Sequence, residues 1–155
     1  MTRRRSPSKV RTQPLAANQA GQAIVWVAVM LPLFLAVVGL AIDGGVVFSA
    51  RRELQNVADA GARAGAMQVD QRLYRESSGA TVVLDPAEAR EVAAAYVAGE
   101  GAGLETSVVV QPQRVVVQVS REVPTTFIRL VGIDSVRVQA TAPAEVRYGI
   151  ERATR

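Results

Sequence analysis

The pattern of hydrophobic and polar positions changes character at Asp43. Before it, residues 23–42 form a run of twenty residues without a charge, which as an α-helix would cross the roughly 30 Å of hydrocarbon in a bilayer. Trp26 lies near the start of this run, and Pro32 falls inside it, where membrane helices accept a proline with a local kink. We therefore predict a transmembrane helix at 23–42 that ends at Asp43.

The helical pattern continues past the apolar run, over residues 43–70. Apolar and small residues recur there at spacings of three, four and seven, with charged residues on the other faces. Small residues arranged in rows allow another backbone to approach closely. The stripe therefore indicates a helix-packing face, and two partners fit it: the chain's own C-terminal domain, or neighbouring helices of an assembly. The residues that would allow the closest approach of another helix are Ala58, Gly61, Ala62 and Gly65.

Residues 71–155 have the pattern of a small α+β domain. We predict a loop over 71–84 with a short strand at 81–84, and then a helix that begins at Asp85-Pro86 and runs to about Ala98. β-branched runs predict an antiparallel sheet packed on one or two helices. Its predicted strands are 106–110, 114–120 and 135–147, with a short apolar helix or turn at 127–131 between the last two.

Positive charge is concentrated in the first 22 residues, which we interpret as a basic cytoplasmic tail. No acidic residue precedes Asp43, whereas residues 44–155 hold thirteen arginines and thirteen acids, which balance. A nucleic-acid-binding domain needs a basic face on the folded part, so we predict no nucleic-acid partner. The asymmetry instead predicts a single-pass protein with its N-terminus inside and its C-terminal domain outside. The tail cations are Arg3, Arg4, Arg5, Lys9 and Arg11.

The chain offers few groups for catalysis or metal binding. It has no cysteine and no histidine, so thiolate sites and the commonest general base are excluded. Glu88 and Glu91 come closest to a paired carboxylate motif, and a solvated helix face accounts for them. We predict no enzyme activity, no cofactor and no metal.

A combined motif begins in the last turn of the apolar run, continues past it, and carries a resemblance to a known family. The segments "GLAIDGG" and "ARRELQNVADAGARAGA" resemble the N-terminal module of the TadE/TadG-like proteins of the tight-adherence (Flp-type) pilus system. The resemblance covers roughly residues 20–68. The positions that carry the motif are Asp43, Arg51, Arg52, Leu54, Gln55 and Asp59.

The resemblance implies a pilin-like, single-pass protein of the bacterial cytoplasmic membrane that helps to assemble or anchor a pilus. Its implied partners are membrane lipid and other pilus-assembly or envelope proteins, with homo- or hetero-oligomers formed through the N-terminal helix. Gly21 is the candidate processing residue, although Trp26 stands where processed pilins carry a glutamate. Two alternatives remain open: a secreted binding module cleaved near Ala41, and a membrane-tethered enzyme without a recognisable motif.

Overall fold

A computed structural model of the chain describes residues 17–146, with side chains from Gly21 onward. The described residues fall into two units, one ending at Val38 and the other beginning at Gly39. In the first unit the described side chains are all exposed. The tail cations and Arg147, the predicted end of the last strand, lie outside the described residues.

The first helix, α1, spans Ala17–Ala66 and contains Pro32. It begins before the predicted span and ends before the predicted limit at residue 70. Its most apolar 18-residue window has a mean hydropathy of 2.7 and is 6% buried. Among the described residues, α1 is the helix that is long and apolar enough to cross a membrane.

The region after α1 differs from the predicted loop, because residues Gln71–Glu76 form a short helix, α2. The side chain of Asp70 starts this helix by accepting N–H bonds of 2.9 Å from Arg72 and Leu73. α2 buries none of its side chains, so it has no apolar stripe from which it could be predicted. The predicted strand at 81–84 is reduced to an isolated bridge between Val69 and Leu84.

The third helix, α3, spans Pro86–Gly99 and begins as its sequence predicts. Asp85 caps it by accepting backbone N–H bonds from Ala87 and Glu88, of 2.9 and 3.0 Å. Pro86 takes the first helical position, where its missing N–H costs no hydrogen bond.

The sheet has three antiparallel strands in the order β1 (Glu105–Gln111), β2 (Arg114–Pro124) and β3 (Ser135–Glu145). The predicted antiparallel sheet is confirmed, and its first two strands form a hairpin in which Gln111 pairs with Arg114. β2 extends four residues beyond its predicted end and pairs with β3 along its whole length. A single turn of 3₁₀ helix, Ile128–Val131, lies in the connection between β2 and β3.

The core lies between one face of this sheet and the two long helices. The alternating valines of β2 are fully buried, as their spacing predicts, and they meet the small stripe of α1 and the inner face of α3. The α+β architecture predicted from the sequence is therefore confirmed. The central contributors are Leu54, Ala58 and Ala62 of α1, Ala89, Ala93 and Val97 of α3, and Val115, Val117 and Val119 of β2.

Candidate functional site around Asp43

Asp43 is buried, with 2% of its surface exposed, and its carboxylate binds the backbone of a distant loop. One oxygen accepts the N–H of Thr126 at 3.0 Å, and the other accepts the N–H groups of Phe127 and Ile128 at 2.8 and 2.7 Å. Charge-assisted bonds of this kind are stronger than bonds between neutral groups. The carboxylate thus ties α1 to the connection between β2 and β3.

The loop presents these three N–H groups because they have no partner of their own. They belong to the entry of the 3₁₀ helix Ile128–Val131, and the first N–H groups of a helix lack an acceptor within it. Thr125, which is buried, closes the base of the loop: its N–H bonds the carbonyl of Asp134 at 3.0 Å, and its hydroxyl donates to the carbonyl of Ile133. The bonds of Thr125 therefore close the base of the loop, and the carboxylate of Asp43 supplies the acceptors for the three N–H groups that follow.

These hydrogen bonds keep Asp43 ionised. The N–H of Ile128 is the largest influence and lowers the pKa of Asp43, the loss of water raises it, and the N–H groups of Thr126 and Phe127 lower it further. The net effect is a pKa below the ordinary value of 3.8. The sequence predicted Asp43 as the boundary of the span, and the structure adds that its negative charge is satisfied inside the chain.

Gly39, one helical turn before Asp43, forms the second half of this junction. It is buried, and a Cβ added to it would lie 2.7 Å from both Cβ and Cγ of Phe127. Any side chain at this position would therefore displace the aromatic ring. This role of Gly39 was not predicted from the sequence, although its spacing of four residues from Asp43 places both on one helix face.

The other family-motif residues are distributed along α1. Leu54 is fully buried in the core, and the side-chain amide of Gln55 donates to the carbonyl of Thr141 in β3 at 3.4 Å. Arg51 and Arg52 are exposed, and Asp59 is half-buried beside an open cavity of about 910 Å³. The motif therefore supplies packing and strand contacts, while its arginines remain on the surface.

The small stripe of α1 is covered by the chain's own α3. Ala58 and Ala62 are fully buried. A Cβ on Gly61 would lie 3.1 Å from Val97, and one on Gly65 would lie 2.8 Å from the carbonyl oxygen of Ala89. Of the two partners that fit the stripe, the structure places the intramolecular one against it.

The remaining candidate residues stand alone. Gly21 is exposed on α1, and Glu88 and Glu91 are exposed on α3. Over residues 17–146, no three side chains of His, Cys, Asp or Glu are grouped as a metal site would require.

Comparison with known proteins identifies the segment that contains Asp43. Residues 21–68 match the family described as putative Flp pilus-assembly TadE/G-like, which confirms the TadE/TadG-like assignment on this segment. The match includes Gly39, Asp43 and the small stripe, but it ends before the loop that Asp43 binds. No curated protein and no solved structure matches the chain.

Proposed function

We propose, on the premise that residues 21–68 are a TadE/TadG-like segment, that this chain is a structural or assembly component of a Flp/Tad-type pilus or a related secretion system. In this role it resembles a minor pilin or pseudopilin and has no catalytic activity of its own. The observation that carries the proposal is that one matched segment holds both the apolar run and the helix face on which the C-terminal domain is built.

The matched segment has two parts that suit two different surroundings. Its first half, up to Ile42, is apolar and exposed as far as Val38, which suits lipid and the helices of other envelope proteins. From Gly39 onward, the segment contacts the domain: Gly39 packs against Phe127, Asp43 binds the backbone of the same loop, and the stripe packs on α3. The module thus anchors a protein to a membrane and presents a folded domain at the surface.

We propose that the N-terminus lies in the cytoplasm and the domain outside it, because the tail is basic and residues 44–155 are neutral. A periplasmic reporter enzyme fused after Arg155 should be active. Replacing the five tail cations with glutamate should reduce that activity, whereas replacing the same number of exposed arginines in the domain should not. Activity of a cytoplasmic reporter at Arg155 would contradict the orientation.

The pilus role is tested in the host by deleting the chain. We expect surface pili to be lost by electron microscopy and restored by the wild-type chain, with the pilin itself still present in the membrane. Photo-crosslinkers at Phe34, on the exposed apolar face, should capture other pilus-assembly proteins or a second copy, and crosslinkers at Asn56 should serve as the water-facing control. Normal pili in the deletion strain would remove the proposal.

The processing alternatives are resolved by sequencing the N-terminus of the membrane-bound protein. A cut near Ala41 would detach Gly39 from the chain that carries Phe127 and would leave Asp43 at the new end, so the junction favours an uncut anchor. A start at Gln22 would instead indicate a pseudopilin processed after Gly21. A start near Ile42, together with loss from the membrane fraction, would establish the secreted binding module.

A further inference from the structure

The loop that Asp43 binds exposes four large apolar side chains within seven residues. Phe127 is 40% exposed, Leu130 85%, Val131 77% and Ile133 48%. Single exposed apolar residues are ordinary on a protein surface, but a contiguous group indicates a surface that is covered in use. We call residues 127–133 the apolar loop.

The apolar loop is attached to α1 at the level where the apolar run ends. Phe127 packs on Gly39, which lies three residues inside the end of the predicted span at Ile42, or roughly 4.5 Å along a helix. Asp43 then fixes the backbone at Thr126, Phe127 and Ile128. Both attachments lie within the second unit of the structure, so the loop cannot leave the end of the span without breaking them.

We propose that the apolar loop is a second membrane contact, which inserts Leu130 and Val131 into the boundary between headgroups and acyl chains of the leaflet where the span ends. Lipid is the occupant because the loop packs on Gly39 in the last turn of the predicted span, and the other apolar residues of that turn, Leu40 and Ile42, are exposed within the same unit. Amphipathic segments bury an apolar face about 5–10 Å into this boundary. The contact rests on the proposed membrane anchoring.

The polar groups of the loop suit the same location. Arg129 and Asp134, both exposed, form an ion pair of 3.6 Å beside the apolar residues, and charged groups at this depth can remain among lipid headgroups. Gly132 adopts a left-handed conformation with φ of 89°, which ends the 3₁₀ helix directly after Val131. Since a single helix leaves a domain free to tilt relative to the bilayer, a second contact with lipid would limit that tilt.

The absence of cysteine from the chain makes this contact directly measurable. Single spin labels would be attached to the full chain at Leu130→Cys and, in separate samples, at Val131→Cys, Leu35→Cys and Gln113→Cys. The samples would be reconstituted in vesicles of phosphatidylethanolamine and phosphatidylglycerol. Collision with oxygen, which concentrates in lipid, is compared with collision with a water-soluble nickel chelate. Leu35 reports on the span, and Gln113 reports on the exposed turn between β1 and β2.

We expect the labels at Leu130 and Val131 to favour oxygen, as the label at Leu35 does, and the label at Gln113 to favour the nickel chelate. Circular dichroism melts of each labelled chain confirm folding, which exposed positions should preserve. If the label at Leu130 behaves like that at Gln113 while Leu35 lies in lipid, the loop proposal is wrong and the anchor stands. If Leu35 also reports water, both fail. Spectral broadening at Leu130 that disappears on dilution with unlabelled chain would identify a second copy as the occupant and overturn the lipid contact.

Discussion

The two ends of the three-stranded sheet border the same core, but they differ in the polarity of their exposed residues. At the polar end, where β1 turns into β2, the exposed residues are Gln111, Pro112 and Gln113, with an ion pair between Arg114 and Glu145 beside them. At the other end, where β2 passes into β3, the exposed residues are those of the apolar loop. Exposed apolar groups of this kind mark a surface that another molecule covers, and the membrane contact proposed above assigns lipid to that surface.

The two ends also differ in how they are held. At the polar end, the N–H of Leu84 bonds the carbonyl of Pro112 at 2.8 Å, and that of Val146 bonds the carbonyl of Gln113 at 3.0 Å. These are separate backbone bonds to separate parts of the chain. At the apolar end, all three N–H groups that bind α1 share one acceptor group, the carboxylate of Asp43, and Phe127 packs on Gly39 beside it. A single substitution should therefore release one end and not the other.

The largest expected effect is that of Asp43→Ala, which leaves the N–H groups of Thr126, Phe127 and Ile128 without their acceptor. Buried donors that lose a partner are costly. We expect the melting temperature of the full chain in detergent to fall by about 10 °C, a large change for a domain of this size. Circular dichroism measures it, and the spin label at Leu130 should become more mobile.

The matched control is Asp70→Ala, which removes a carboxylate that also accepts backbone N–H bonds but does so on the surface, at α2. α2 buries nothing, so its loss should lower the melting temperature by only a few degrees, as expected for an exposed cap. Equal shifts for Asp43→Ala and Asp70→Ala would show that the apolar end does not depend on its carboxylate.

Glycine substitutions separate the core from the apolar end. In Gly65→Ala the new Cβ would lie 2.8 Å from the carbonyl oxygen of Ala89, so α1 and α3 must move apart. Overpacking of this kind commonly costs about 1–3 kcal/mol. Denaturant unfolding should show that loss. In Gly39→Ala the clash is with Phe127, so we expect displacement of the loop with a smaller loss of global stability.

Gly44→Ala is the control for both variants, since a Cβ there meets nothing within 4 Å. Replacing a helical glycine with alanine in open space should stabilise by roughly 0.5–1 kcal/mol. If Gly65→Ala instead unfolds like Gly44→Ala and loses crosslinks to membrane partners, the stripe packs on another protein and the intramolecular contact is wrong.

Much of this architecture could be predicted from the sequence because it follows from periodicity. The twenty uncharged residues, the spacing of Leu54, Ala58 and Ala62, and the alternation of Val115, Val117 and Val119 each indicate one buried face. Helix caps also depend on neighbouring residues in the sequence, so the cap at Asp85 could be predicted. α2 could not be predicted, because a helix that buries nothing leaves no apolar pattern.

The junction was predicted only in part. Asp43 could be identified from its place at the end of the apolar run, but its partners lie more than eighty residues away and bind through backbone N–H groups. Every residue except proline has a backbone N–H, so the identity of these residues does not indicate that they bind a carboxylate. The packing of Phe127 on Gly39 is equally long-range, and it depends on how β2 and β3 position their connection. The family motif ends at residue 68 and contains only one side of the contact.

The acid dependence of stability tests the same carboxylate with a smaller effect. The pKa of Asp43 is lowered on folding, so its contribution is fully present above the ordinary value of 3.8. As pH falls from there through the lower folded-state pKa, the unfolded state binds protons first and the contribution is lost. The difference in melting temperature between the wild type and Asp43→Asn should shrink across this window. The other acids titrate in both the wild type and Asp43→Asn, so their effects cancel in this difference. A difference that stayed constant with pH would therefore contradict the lowered pKa of Asp43.

The smallest effect belongs to the polar end, at the ion pair of Arg114 and Glu145. Both side chains are about half exposed or more, and exposed pairs contribute about 0.2–1 kcal/mol. Glu145→Gln should therefore lower the free energy of unfolding by less than 1 kcal/mol, and the difference should vanish in about 1 M salt, where the Debye length is only about 3 Å.

An ion pair that joins a helix to the sheet provides the comparison for Glu145→Gln, which removes a pair between two strands. Glu53 of α1 binds Arg121 of β2 through two hydrogen bonds, of 3.2 and 2.8 Å, and Arg121 is more buried than Arg114. Arg114 also donates two bonds, but both go to one oxygen of Glu145. Glu53→Gln should cost more than Glu145→Gln, because the pair of Arg121 uses both carboxylate oxygens and is less exposed at the arginine. If Glu145→Gln proved as costly as Gly65→Ala, the polar end would be held by charge. Each end of the sheet would then depend on a single carboxylate, Asp43 at one end and Glu145 at the other, and the contrast drawn between the two ends would be wrong.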